Sequence, residues 1–305
     1  MTGRRPGLGI ALVLAMAACF ATMDNSVRWL GAAVPVLVML TVRYAFQAVA
    51  MTVWLAVDPK HGFRSAHPRF QALRGALLLA TSGFSFFGVQ AMPVAEFTAI
   101  NMLTPVLVTL LAGWFLGERV SRLRWLLVGG AFVGALIVIR PGSGVFGWAV
   151  LFPLGGAFTY ASFQVLTSRM ASLENPYTTH FWTGFTGAAL LLPLLAASPQ
   201  AAALATVTPT QWGWMLLIGL LGTGGHLMLI LAMGMAPTST LMPFVYTQIG
   251  AAALVGWIVF QRLPDGWAWV GMAVIAACGA ASAWLNLKGA APKPASAVGA
   301  DTIAD

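Results

Sequence analysis

Apolar residues run along this chain in long blocks separated by short polar turns. The blocks cover approximately residues 8–30, 35–57, 72–91, 95–116, 123–140, 147–169, 176–197, 211–232, 238–260 and 267–287. Each is close to the ~20 residues with which an α-helix crosses a bilayer core. The pattern predicts an all-α membrane protein with ten transmembrane helices. The longest connections are residues 58–71 and 198–210, and no soluble domain fits between the blocks. Residues 288–305, rich in Ala, Pro and small polar residues, are expected to form a disordered cytoplasmic tail.

Several blocks carry polar and aromatic residues at helical spacing, which places them on one side of a helix. The third block has Ser82, Ser85 and Phe86, and the fourth has Phe97, Asn101, Thr104 and Val108. The sixth has Pro153, Gly156, Tyr160, Phe163, Gln164 and Thr167. The eighth has Gly219, Gly222, Thr223 and His226, and the ninth has Phe244 and Gln248, with Tyr246 on another face. Any one of these stripes is also what ordinary helix contacts in a membrane look like. Their convergence at mid-depth selects Ser82, Ser85, Asn101, Thr104, Tyr160, Phe163, Gln164, His226, Tyr246 and Gln248 as candidate substrate-binding residues. Pro105, Pro153, Pro193 and Pro243 interrupt blocks and are expected to kink them.

Composition agrees with the blocks. The chain is 59% hydrophobic and 8% charged, against about 25% charged in soluble domains. Its net charge of +8 would suggest nucleic acid in a soluble protein, but here the basic residues lie in short loops and report topology. With the N-terminus in the cytoplasm, Arg4, Arg5, Lys60, Arg64, Arg69, Arg74, Arg119, Arg122, Arg124, Arg169, Lys288 and Lys293 fall inside, and Arg28, Arg140 and Arg262 outside. Both termini are therefore expected in the cytoplasm. Most tryptophans fall at block ends, as an interfacial belt does, Trp182 lying deeper. Arg4, Arg5 and Ala15-Met16-Ala17 resemble a signal peptide, but the apolar run continues toward Trp29 and is long enough to span. Cys19 and Cys278 lie inside apolar runs and imply neither a disulfide framework nor a metal site.

The stretch Met92–Arg119 recurs without a gap as Met235–Arg262. Met92/Met235, Thr104/Thr247, Leu111/Leu254, Gly113/Gly256, Trp114/Trp257 and Arg119/Arg262 coincide, and Glu118 is matched by Gln261. Pro35 and Pro176 open corresponding second blocks. Splitting after the fifth block gives halves 1–143 and 144–287, each with an odd number of spans. Halves of that kind insert in opposite senses, as in many secondary transporters.

Met92-Pro93-Val94-Ala95, leading through Pro105 to Gly113-Trp114-Phe115-Leu116-Gly117-Glu118-Arg119, resembles the EamA group of the drug/metabolite transporter superfamily. The resemblance covers everything except the tail. It implies two inverted five-helix repeats and transport of small metabolites across a bacterial inner membrane. The family's branches include exporters of aromatic and other amino acids, and carriers of vitamins or nucleotide-like metabolites. Gln261 stands where the family often has Glu, so the two copies differ in that acid.

Charges inside a bilayer need partners. Asp24 and Arg28 share a helix face, and Arg43 enters the second span at a depth near Asp24. An Asp24–Arg28 or Asp24–Arg43 pair is the structural expectation, and an outer gate or substrate-carboxylate site using Arg43 the functional one. Glu118, with Arg119, Arg122 and Arg124, reads as an interfacial cluster bracing an inner gate.

These observations point to a secondary carrier working by alternating access, with aromatic or other hydrophobic amino acid export as the specific expectation. The alternative is a carrier of another metabolite such as a vitamin or nucleotide-like compound. An intramembrane enzyme lacks support, because His-Glu-x-x-His is absent and Gly142-Ser143-Gly144 lies in a loop. A sensor or scaffold lacks a signalling domain. No ATP-binding Gly-x-x-x-x-Gly-Lys run occurs. No cofactor, metal or catalytic residue is expected. The partners are a small-molecule substrate and the lipid bilayer, and the chain is expected to be a monomer or weak homodimer.

Overall fold

The computed structural model describes residues 6–58, 62–104, 106–108, 110–111, 122–140, 146–170, 173–235, 241 and 244–289. The helices are α1 Pro6–Leu30, α2 Val36–Val57, α3 Pro68–Ala91, α4 Val94–Asn101, α5 Arg122–Ile139, α6 Leu151–Met170, α7 Pro176–Ala196, α8 Pro209–Met235, α9 Thr247–Phe260 and α10 Gly266–Gly289. Short 3-10 turns, Gly147–Val150 and Pro199–Ala205, precede α6 and follow α7. No strand occurs among the described residues. Glu118, Pro105, Pro243, the loop around Ser143 and the tail beyond Gly289 lie outside the described residues.

Among the described residues, five helices are long and apolar enough to cross a membrane by length and composition: α1, α2, α3, the segment Gly147–Thr167 that includes most of α6, and Pro209–Ala232 of α8. Segment Pro176–Ala196 joins them when counted with Pro199–Ala205, to which it is bent by 94°. Val94–Val108, Trp125–Ile139, Thr247–Phe260 and Gly266–Ser282 are shorter apolar helices. Among the described residues the ten blocks thus correspond to ten α-helices of unequal length.

The fourth block differs most, because its helix stops at Asn101. Residue 105 is proline and has no N–H to return to the Asn101 carbonyl. The Thr104 hydroxyl, 2.7 Å away, donates to that carbonyl instead. In the ninth block the matched Thr247 Oγ1 likewise donates to the carbonyl three residues back, that of Phe244, at 2.6 Å, although Gln248 stands in the place of the proline. Thr104 and Thr247 are matched positions of the repeat, so the identity reflects a shared local task. Pro153, expected to kink the sixth block, sits in the first turn of α6, where a missing N–H costs little. Pro193 lies inside α7, shortly before the bend.

Helix packing is the same under exchange of the halves. α1 packs on α8, and its counterpart α6 on α3; α2 packs on α8, and α7 on α3. The pairs α2–α7, α4–α9 and α5–α10 each join a helix to its own counterpart. The α2–α7 pair runs antiparallel: Tyr44 lies against Gly187, Gln47 against Gly184, and Trp54 stacks on Tyr177. So does α5–α10, where Gly130 meets Cys278, Gly134 meets Ile275 and Val138 meets Gly271. Counterparts that run in opposite directions are what inversion of one repeat requires.

The lipid-facing surface is apolar: Val57, Leu126, Trp148 and Trp267 are all more than half exposed. Helical hydroxyls facing it bond back to their own helix, as Thr52 does to the Ala48 carbonyl at 2.6 Å. Below, the face carrying the start of α1 is called the N-terminal face, and the opposite one the far face.

Candidate functional site

The central cavity lies where α1, α2, α3, α4, α6, α8 and α9 converge. α1 contributes Met16, Phe20, Met23 and Asp24, a spacing that keeps all of them on one helix face. Arg43 enters from α2. α3 supplies Leu78, Thr81, Ser82, Ser85 and Phe86, and the broken fourth segment supplies Asn101, Met102 and Thr104. Tyr160 and Gln164, one turn apart, come from α6; His226 and Leu229 come from α8, and Val245 and Gln248 from the ninth segment. The cavity holds about 90 Å³, below the ~300 Å³ at which pockets enclosing drug-sized ligands begin.

Close approach of α8 to α1 and α2 builds one wall. At Gly222 an added Cβ would sit 2.8 Å from Arg43 Nε, and at Gly225 2.6 Å from the Phe20 ring. A side chain at either would push Arg43 or Phe20 from its place. The Phe20 ring packs on His226 with centroids 4.8 Å apart, and His226 stands edge-on to Tyr160 at 6.5 Å.

The buried charges do not pair directly. Neither Asp24–Arg28 nor Asp24–Arg43 comes within ion-pair distance, which corrects the structural expectation. Two hydroxyls on one face of α3 take the partner roles. Ser85 Oγ donates to Asp24 Oδ1 at 3.2 Å, and Arg43 Nη1 donates to Ser82 Oγ at 3.1 Å. Ser82 Oγ also lies 2.9 Å from the Tyr44 hydroxyl, and the guanidinium sits 4.6 Å over the Tyr44 ring. Arg43 Nε and Asn101 Oδ1 remain buried without a hydrogen-bond partner among the described residues. The cavity-lining residues therefore include one unpartnered donor, packed against Gly222, and one unpartnered acceptor, packed against Gly156, plus an acid and a base held apart. Arg28 instead donates to the carbonyls of Val89, at 2.8 Å, and Met92, tying α1 to the end of α3.

Of the residues singled out by spacing, Ser82, Ser85, Asn101, Thr104, Tyr160, Gln164, His226 and Gln248 line this cavity, with Asp24 and Arg43. Phe163 and Tyr246 do not. Phe163 stacks on the outer side of Tyr160, with centroids 5.8 Å apart. Its other neighbour is the Arg74 guanidinium, 4.8 Å from the ring centroid. Tyr246 turns toward α10, where an added Cβ at Gly279 would fall 1.9 Å from its ring. Glu118 lies outside the described residues. Met16, Phe20, Met23, Leu78 and Val245 also line the cavity and in sequence are indistinguishable from packing residues; Phe86, placed by spacing beside Ser82 and Ser85, lines it too.

Arg74, counted from the sequence among the basic residues on the cytoplasmic side, is buried in α3, which begins at Pro68. Its Nε donates to Thr167 Oγ1 at 2.7 Å, and Nη1 reaches the Thr179 carbonyl and Thr183 Oγ1 at 2.9 and 3.0 Å. Trp182, set apart by its depth, donates from its indole N–H to the Phe63 carbonyl at 3.0 Å. It thereby holds the α2–α3 loop on α7. The same loop is clamped by Glu174, whose Oε1 accepts from Ser65 Oγ at 2.6 Å and from the His67 backbone N–H at 3.0 Å.

A helical membrane protein with two antiparallel repeats around a polar internal cavity has the construction of a membrane carrier. The chain belongs to the EamA-like transporter family, whose profile matches residues 7–140 and 147–282. It is similar to the riboflavin transporter of Rhizobium johnstonii, at 32% identity over 188 residues, 62% of this chain and 61% of that protein's length. It is also similar to the S-adenosylmethionine uptake transporter of Rickettsia bellii, at 24% identity over 261 residues, 85% of this chain and 87% of that protein. A solved crystal structure, 19% identical, shares the fold with a TM-score of 0.63 over 92% of this chain and 98% of the other. The chain is thus a multi-pass membrane protein of a transporter family. The aromatic amino acid branch gains no support from these relatives.

Proposed function

We propose that the protein carries a vitamin-sized heteroaromatic metabolite of the riboflavin class by alternating access, in place of the aromatic amino acids suggested by the sequence. One observation carries this reading: the central cavity joins aromatic walls, Phe20, Phe86 and Tyr160, to amides and hydroxyls, with Asp24 and Arg43 beside them. A flavin ring needs flat apolar contact on its faces, donors and acceptors at its imide edge, and hydroxyl partners for its side chain. The unpartnered Arg43 Nε and Asn101 Oδ1 match a carbonyl and an N–H of such an edge. The resemblance to the Rhizobium riboflavin transporter supports the same class.

In this reading the segments 1–143 and 144–287 are the two units that rock about the cavity, and the small cavity volume marks a contracted state between openings. The protein lies in the bacterial inner membrane with both termini in the cytoplasm, so the far face is outward. Asp24 favours a second reading, a cationic substrate such as a sulfonium, because a buried carboxylate in the wall attracts positive charge.

Counterflow in proteoliposomes tests both. Vesicles loaded with unlabelled riboflavin should accumulate labelled riboflavin, and external S-adenosylmethionine or L-phenylalanine should compete weakly. No riboflavin counterflow, alongside counterflow of either competitor, would overturn the flavin reading.

A further inference from the structure

We infer that a second cavity, between α1, α4 and α9 at the far face, is a separate binding site for a small zwitterion carrying both an ammonium and a carboxylate group. It holds about 360 Å³ and is lined by Asn25, Arg28, Glu96, Gly256, Phe260 and Arg262 among others. None of its lining residues belongs to the central cavity. Gly256 and Phe260 give it an apolar side, and the remaining four give it charge and polarity.

Its polar atoms are unevenly satisfied. Asn25 uses its amide N–H groups on the carbonyls of Ala21 and Ala252, at 2.8 and 3.3 Å. That fixes the side chain and leaves Oδ1 buried without a partner. Glu96 is 7% exposed, and its Oε2 is likewise buried and unpartnered. Two acceptors of cavity-lining residues thus have no donor among the described residues to meet them, which is costly in a low-dielectric wall. Arg28 does not supply the donor: its Nη1 is taken by the Val89 and Met92 carbonyls, the guanidinium lies 5.5 Å over the Phe260 ring, and no Arg28–Glu96 ion pair forms among the described residues. Arg262 is exposed and forms no ion pair among the described residues.

The charges select the ligand. A simple cation would meet Glu96 but also two guanidinium groups. A simple anion would meet Arg28 and Arg262 but also an unpaired carboxylate. An ammonium donating to Glu96 Oε2 and Asn25 Oδ1, with a carboxylate toward Arg28 and Arg262, satisfies every group at once. The volume admits a molecule of amino acid size with room to spare, and Phe260 offers apolar contact for its side chain.

The test is binding of L-leucine to the full chain in detergent, followed by calorimetry. Its single-charge analogues, 4-methylpentanoate and 3-methylbutylamine, serve as comparison. L-Leucine should bind about tenfold or more tightly than either analogue. Glu96→Gln and Arg262→Ala should each weaken L-leucine by a similar factor, whereas Ser82→Ala, in the central cavity, should leave it unchanged. Arg262 is exposed, so its variant folds even where Glu96→Gln does not. No L-leucine binding at about 10 mM would overturn the site, as would equal binding of an analogue. Loss of binding in Ser82→Ala with retention in Arg262→Ala would assign the ligand to the central cavity and also overturn it. None of these readouts needs riboflavin transport, so failure of the flavin reading would be seen separately.

Discussion

Ser82 is a small residue with a large share of the central site. One hydroxyl meets the Arg43 guanidinium and the Tyr44 phenol, all three buried. Ser82→Ala leaves both partners short of a hydrogen bond in a low-dielectric wall, a cost of about 1–3 kcal/mol. The unfolding temperature in detergent should fall, and the KM for counterflow substrate should rise, because Arg43 is released from its fixed position. An unchanged unfolding temperature would show that Arg43 finds another partner. Ser82 was legible in the sequence because it lies three residues before Ser85, and such spacing survives folding as a shared face. The angular position of a face relative to its neighbours is not in the sequence. That is why Phe163 reads as a site residue yet packs behind Tyr160 on Arg74, and why Tyr246 reads the same way yet meets Gly279. Arg74 escaped notice for another reason: the first turns of α3 carry Arg69 and Arg74, so the apolar run begins after the helix does.

At the level of elements, the contact between α2 and α7 depends on glycine. An added Cβ at Gly187 would lie 2.1 Å from the Tyr44 ring, a rigid group held by its hydroxyl to Ser82. Gly83, on α3, has nothing within 4 Å of the same added atom. Gly187→Ala should therefore destabilise by about 1–3 kcal/mol through overpacking. Gly83→Ala should be neutral, or stabilise by up to about 1 kcal/mol through helix propensity. Thermal unfolding of the two variants side by side checks this; equal stability would mean that α2 and α7 separate freely. The block pattern revealed these helices, but not the breaks at Asn101 and before Thr247. Hydropathy averages over a window, whereas these breaks turn on single residues: a threonine that recaptures a carbonyl in both, joined by a proline only after Thr104. The faint repeat held the clue, since Thr104 and Thr247 coincide in it.

Across the whole molecule, the halves are tied at both faces by polar contacts in loops. At the far face Arg140 and Asp265 pair at 2.7 Å, and Asp265 also accepts from the Ala268 N–H at the start of α10. At the N-terminal face Glu174 holds the α2–α3 loop through Ser65 and His67, with the His67 ring 3.4 Å away. Partial burial pushes the Glu174 carboxyl up, but the Ser65 hydroxyl and the His67 N–H outweigh it and hold it below the usual glutamate range. The Ala268 N–H, helped by Arg140, likewise holds Asp265 low. A carboxyl depressed on folding contributes stability that is present above its unfolded pKa and lost as pH falls through its folded one. The Glu174 tie should thus persist at neutral pH and fail only on acidification below about pH 4. Glu174→Gln keeps an acceptor for Ser65 but removes the charge. The variant should be less stable than the parent at pH 7, and the gap should close as pH falls through the acid range. Asp265 titrates in both proteins, so the difference isolates Glu174. A gap that stays constant down to pH 3 would mean that the loop is held by the Trp182 and Thr178 bonds to Phe63 and Gly62, with no part played by the charge.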